Sequence, residues 1–202
     1  MKIAPFSVTR RAASALIATL AFSASVAMAT DAAAPKVKFA TSEGDFVVEV
    51  YPDKAPKTVE NFLQYVKDKH YDGTIFHRVI NNFMIQGGGY DTAYAEKKTR
   101  APVVHEGREA LAKGGPKNVV GTLAMARTND PNSASSQFFI NVKDNDFLNP
   151  SAQAPGYTVF GKVVSGMDVV EKIKAVPTGS GGPFPSDVPK TPVMIKSATV
   201  VK

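Results

Sequence analysis

The chain of 202 residues carries 24 Lys and Arg against 18 Asp and Glu, a formal net charge of +6, and no cysteine. Without thiols, a disulfide framework and cysteine-based redox or metal chemistry are excluded. The cationic excess is modest and is not interleaved with aromatics, which argues against nucleic acid as a partner.

Lys2, Arg10 and Arg11 form a basic lead-in, Ala12 to Val26 is apolar and alanine-rich, and Ala27-Met28-Ala29 matches a small-x-small cleavage pattern. Residues 1–29 therefore read as a secretory signal peptide, with export to the periplasm expected. Arg10-Arg11 hints at twin-arginine export, but the small Ala12-Ala13 that follows favours the general route. Cleavage after Ala29 leaves 173 residues and removes three cations and no anion, so the charge falls to +3. That length suits one domain with a sizeable core. No second apolar run of about 20 residues occurs, so no membrane association is expected after cleavage.

Residues 30–36 read as a flexible leader, and 37–202 as one domain. Val37 to Thr41 and Asp45 to Val50 predict two strands around a turn at Ser42-Glu43-Gly44. Pro56 suits the first turn of a helix, and Val59, Phe62, Leu63 and Val66 follow at helical spacing, with Tyr71-Asp72-Gly73 ending the segment. Strands are predicted at 74–80 and 83–87, joined through Asn81-Asn82, because asparagine tolerates the positive φ of tight turns. Residues 88–118 read as a long loop that is either functional or hides a short strand such as Pro102-Val103-Val104. Strands are predicted at 120–126, 137–142 and 158–164, a second helix at 165–175, a proline- and glycine-rich loop at 177–192, and a closing strand at 193–201. Many short strands with two helices indicate a mainly β antiparallel barrel or sandwich.

Standard catalytic machinery is missing. His70, His77 and His105 lack metal-ligand spacing, and neither a nucleophile elbow nor a phosphate-cradling glycine loop occurs. Ser135-Ser136 reads as turn chemistry, and Gly87-Gly88-Gly89 as a bulge or a close backbone approach. His77 reads as a hydrogen-bonded structural histidine. The unusual feature is Arg78 within FHRVINNFMIQGG (76–88), a guanidinium among apolar side chains with no carboxylate in the stretch. On a strand Phe76, Arg78 and Ile80 share one face, and a hairpin brings Arg78 beside Met84 and Gln86. Taken alone, this also describes an arginine at a barrel rim with its stem on apolar neighbours.

A second stretch, GTLAMAR (121–127) followed by SSQFFIN (135–141) and VFGKV (159–163), accompanies the first. Together these motifs resemble the cyclophilin family of peptidyl-prolyl cis-trans isomerases, the bacterial exported branch in particular, from about Val37 to Lys202. The resemblance implies an eight-stranded antiparallel closed β-barrel capped by two α-helices, with a substrate groove on its outer surface. It implies catalysis by Arg78, oriented by Gln86. It also implies a proline pocket of Phe83, Met84 and Phe139 with Leu148 at its edge, peptide-backbone contacts from Ala126 and Arg127, and Gln137 beside the pocket. Phe138, Ile140 and Met125 then belong to the core. Phe147 stands where eukaryotic members carry a tryptophan that hydrogen-bonds cyclosporin, so weak cyclosporin binding is expected. Tyr157 stands where those members carry a rim histidine. Asn81-Asn82 replaces a Pro-Gly turn, and 149–156 is longer than in compact members.

The implied activity is X-Pro isomerisation on unfolded or partly folded polypeptides, by a monomer without cofactor or metal. A proline-peptide-binding chaperone with little turnover is the alternative, and an idle scaffold a weaker third. Binding alone can rely on the apolar pocket, so Arg78 separates the first two.

Overall fold

The structure, a computed structural model, describes Met1, Lys2, Ala4 and residues 33–201. The expected signal peptide and the first residues of the leader fall outside the described residues. Among these residues, ten strands and three α-helices follow in chain order. They are β1 (Lys36–Thr41), β2 (Gly44–Val50), α1 (Pro56–Lys67), β3 (Arg78–Ile80), β4 (Met84–Gly87), α2 (Gly107–Ala112) and β5 (Thr122–Met125). The remainder are β6 (Phe138–Asn141), β7 (Val159–Ser165), α3 (Met167–Lys174), β8 (Thr178–Gly181), β9 (Phe184–Pro189) and β10 (Ile195–Val201). The leader is shorter than expected: Lys36 already belongs to β1, and the Pro35 carbonyl accepts from Val50 N at 2.9 Å.

Eight strands form one antiparallel sheet in the order β10-β1-β2-β7-β5-β6-β4-β3. Strict alternation in β1 and β2 turns Val37, Phe39, Phe46, Val48 and Val50 inward. Eight buried aromatic rings fill the centre, Phe76 and Tyr65 among them. Phe39 stacks on Phe46 at 5.0 Å, Phe62 lies 5.0 Å from Phe160, and Phe138 and Tyr71 close the cluster at 5.5 Å. Each buried ring contributes roughly 1.5–3 kcal/mol by leaving water.

The barrel is sewn rather than closed by a continuous ladder. The expected strand 74–80 breaks before Arg78. Its first half meets the segment before β10 through an isolated bridge, Ile75 to Met194, supported by Phe76 N to Val193 O at 2.9 Å and Ile195 N to Thr74 O at 2.7 Å. Its second half, β3, pairs with β4. The break also overturns the expected alternation. Phe76 enters the core with Val79, while Arg78 is exposed on the outer face.

Helix α1 covers one opening of the sheet with Val59, Phe62, Tyr65 and Val66 buried. It ends at Lys67, earlier than expected, and Tyr71 is core. Its N-cap, Ala55, offers no side-chain acceptor. The buried Glu106 supplies one from the distant 88–118 segment, accepting from Thr58 N and Thr58 Oγ1, each at 2.7 Å, and from Lys57 N at 3.2 Å. A carboxylate there also complements the positive end of the helix dipole.

Two elements depart from expectation. Helix α2 lies inside the predicted loop 88–118, where the predicted short strand reduces to a single bridge, Val103 to Ala134. The predicted loop 177–192 contains the hairpin β8–β9. Its Phe184 packs on Tyr90 at 5.1 Å and on His77 at 5.3 Å.

Candidate active site

The site follows from strand register. Arg78 stands opposite Gln86, Gln86 opposite Phe139, Phe139 opposite Ala124, and Ala124 opposite Val159. This row crosses five strands on the outer face. The adjacent row, Val79, Ile85, Ile140 and Leu123, lies in the core, as do Phe138 and Met125. One residue along a strand thus separates barrel filling from site wall.

The outer row carries a second, smaller apolar cluster. Met84, Ala124, Phe139, Leu148 and Val159 are buried in it, with Ile80, Phe83, Ala126 and Tyr157 packed against them. A recess of about 100 Å³ opens there, lined by nine of the eleven expected site residues: Arg78, Phe83, Met84, Gln86, Ala126, Arg127, Phe139, Leu148 and Tyr157. That is the room of about three waters.

The other two stand at its margins. Gln137 lines two adjoining recesses instead, and its Oε1 accepts from Gln86 Nε2 at 3.0 Å. Phe147 is 73% exposed and stacks on Phe83 with ring centroids 5.7 Å apart. It extends the apolar wall outward without entering the recess.

Arg78 takes part in none of the ion pairs among the described residues. Arg127 is fully engaged. Its Nη2 donates to Gly156 O at 2.9 Å, its Nη1 to Thr128 O at 2.8 Å, and its guanidinium carbon lies 4.6 Å from the Tyr157 ring centroid. Tyr157 in turn meets Phe139 edge-on at 5.5 Å. The Arg127 side chain therefore fastens the 149–156 link to the site, a role the sequence motif did not assign to it.

The hairpin turn that presents Phe83 is longer than the predicted Asn81-Asn82 turn. Ile80 pairs with Met84, so Asn81, Asn82 and Phe83 form a three-residue loop, with Asn82 at φ 63°. A buried amide network supports it. Asn145 Nδ2 donates to Phe83 O at 2.9 Å and to Asn141 Oδ1 at 2.7 Å. Asn141 donates to Asn118 Oδ1 at 3.2 Å, and Asn118 N donates to Asn149 Oδ1 at 2.7 Å. This network joins Phe83 to the turn Asp146–Leu148, which carries Phe147 and Leu148. Sequence reading missed these asparagines. The available signal was three asparagines, at 141, 145 and 149, spaced four apart around the apolar Phe147-Leu148 pair.

His77 is buried, but the expected hydrogen bond is not found at its Nδ1, which is enclosed with no partner among the described residues. The ring lies 4.7 Å from Tyr90. Burial first, and the neighbouring Arg78 charge second, hold its imidazole down at about 4. Ser136 is also buried, its hydroxyl without a partner among the described residues; the turn chemistry belongs to Ser133, whose Oγ accepts from Thr128 N at 2.9 Å.

Residues 36–200 match the family described as cyclophilin type peptidyl-prolyl cis-trans isomerase/CLD. Peptidyl-prolyl cis-trans isomerase B of Escherichia coli (strain K12) is 55% identical over 167 residues, covering 81% of this chain and 98% of that protein. Peptidyl-prolyl cis-trans isomerase cyp18 of Streptomyces antibioticus is 54% identical over 168 residues, covering 82% and 98%. A crystal structure of a Cryptosporidium parvum cyclophilin type peptidyl-prolyl cis-trans isomerase superposes with a TM-score of 0.66 at 26% identity, covering 84% of this chain and 98% of that one. The chain thus belongs to the cyclophilin-type peptidyl-prolyl cis-trans isomerases, enzymes that accelerate rotation about X-Pro peptide bonds.

Proposed function

We propose that Arg78 is the group that accelerates this rotation and that the adjoining apolar recess holds the proline ring. An X-Pro bond turns slowly because amide resonance resists twisting, with a barrier of roughly 20 kcal/mol. No covalent bond is made or broken, so the reaction needs no nucleophile, acid, base or metal. Twisting localises a lone pair on the proline nitrogen. A donor aimed there bonds the twisted state better than the planar one and so lowers the barrier. A guanidinium is a permanent, planar donor suited to this task. One such preorganised donor is worth about 3 kcal/mol, or about two powers of ten in rate.

The observation that carries this reading is the cross-strand row. It places a guanidinium that makes no ion pair among the described residues one strand from Gln86 and two from Phe139, at the edge of the recess. Phe83, Met84 and Phe139 grip the ring while the preceding residue turns, and Leu148 and Tyr157 close the edge. Gln86, held by Gln137, limits the drift of Arg78. Ala126 and Arg127 offer backbone groups to the peptide. Its partner arrives with the substrate, so the guanidinium needs no carboxylate among the described residues. The test is cis-to-trans relaxation of an X-Pro peptide, with a large loss of rate expected in Arg78→Ala.

The setting belongs to the same proposal. A cleavable signal at residues 1–29 directs the chain to the periplasm, where as a monomer it assists folding of exported, proline-containing polypeptides. Fractionation of cells and mass analysis of the exported chain test the location and the cut after Ala29. Cyclosporin binds weakly, because Phe147 offers no indole donor.

A further inference from the structure

Gly89 lies just beyond β4, buried at the end of the glycine run. A β-carbon there would stand 2.5 Å from Gln137 Cγ, 2.6 Å from Cδ and 2.7 Å from Nε2. Its three nearest neighbours thus belong to one side chain. Gly89 is not among the residues with left-handed backbone. Glycine matters there for the room it leaves to Gln137, not for its dihedral angles.

Neither backbone is free to retreat. Gly89 O accepts from Lys97 N at 2.9 Å, and Tyr90 O accepts from Ile75 N at 2.9 Å. On the other side Gln137 O accepts from Ala126 N at 3.0 Å, and Phe138 pairs with Gly87. An added methyl is therefore relieved by rotating the Gln137 side chain. The same side chain holds Gln86 Nε2 through its Oε1 at 3.0 Å, and Gln86 stands opposite Arg78.

We propose that Gly89 is a positioning residue for isomerisation: the absence of a side chain at 89 lets Gln137 lie back across the strand and fix the Gln86 amide beside Arg78. This rests on the roles given above to Arg78, Gln86 and Gln137. Gly89 touches no substrate and acts only through Gln137.

The test is a double-mutant cycle on the full chain, reading kcat/KM for an X-Pro peptide together with thermal midpoints. Gly89→Ala and Gln137→Ala are each expected to lower kcat/KM about five-fold, the worth of one hydrogen bond. The double variant is expected to match Gln137→Ala alone, because the crowded group is gone. Should Gly89→Ala melt early, the double variant recovers the wild-type midpoint. Side-chain amide resonances of Gln86 and Gln137 are expected to move in Gly89→Ala. Wild-type activity in Gly89→Ala beside a weakened Gln137→Ala overturns the proposal and leaves the roles of Arg78 and Gln86 standing. An equal cost of Gly89→Ala in both backgrounds, or a double variant that melts as early as Gly89→Ala, also overturns it. Wild-type activity in Gln137→Ala removes the role of Gln137 itself, and the proposal with it.

Discussion

Phe147 lies parallel to Phe83, with rings 5.7 Å apart and 23° between their planes. The inner ring lines the recess and the outer one is 73% exposed. An apolar ring so exposed is worth little to stability, and its position extends the site wall into solvent. Phe147→Trp adds an indole donor without losing that wall. It is expected to tighten cyclosporin binding by about tenfold, the worth of one good hydrogen bond. Titration calorimetry on both proteins measures this, and submicromolar binding by the wild type would contradict the reading.

Arg127 ties Gly156 and Tyr157 to the strand side of the site. Removing it frees the 149–156 link and loosens one edge of the recess. Arg127→Ala is expected to raise KM several-fold while kcat changes less, because ring capture suffers before the donor does. Arg127→Lys recovers little, since an ammonium cannot reproduce the planar, stacked fork. Steady-state kinetics over a range of peptide concentrations separates the two parameters.

Asn145 carries the buried network between Phe83 and the Phe147-Leu148 turn. Asn145→Ala leaves the Asn141 Oδ1 acceptor without that donor, an expected loss of about 1–3 kcal/mol. Urea unfolding measures this. A smaller loss than that of an exposed surface substitution would show that the network is dispensable.

His77 makes stability depend on acid. Its imidazole titrates at about 4 in the fold against an ordinary value of 6.5. Between those values the unfolded chain holds the extra proton. The stability from the neutral ring is therefore complete above pH 6.5 and is lost as pH falls toward 4, on the order of 3 kcal/mol. His77→Phe keeps a ring against Tyr90 and Phe184 and adds no charge. Denaturant midpoints from pH 7 to pH 4 are expected to fall less steeply in His77→Phe. Parallel curves would show that His77 does not set this slope. His70 and His105, both lowered chiefly by burial, remain in both proteins.

The parts of the fold legible in the sequence were those with strong periodicity. Alternation marked β1 and β2, helical spacing marked α1, and the Phe138-Phe139-Ile140 run divided as expected, Phe138 and Ile140 into the core and Phe139 into the outer cluster. Short-range pattern could not reveal α2, whose six residues bury only Gly107 and Ala110. It also hid β8–β9, where proline and glycine mask a hairpin that buries only Val188 and Pro189. The break before Arg78 was invisible for another reason. It depends on pairing with residues near 193–195, and no local signal marks a strand that changes partners midway. The recess residues came from motif resemblance, and the geometry gathers nine of them. The supporting asparagines and the Arg127 clamp arise from contacts between segments far apart in sequence.

The account depends most on Arg78 acting in the rotation rather than in capture of the peptide. The direct measurement pairs cis-to-trans relaxation of an X-Pro peptide with equilibrium binding of the same peptide, for wild type and Arg78→Ala. The predicted result is a loss of about 100-fold in catalysed rate, with binding weakened far less because the apolar recess remains. Equal catalysed rates in the two proteins would contradict it.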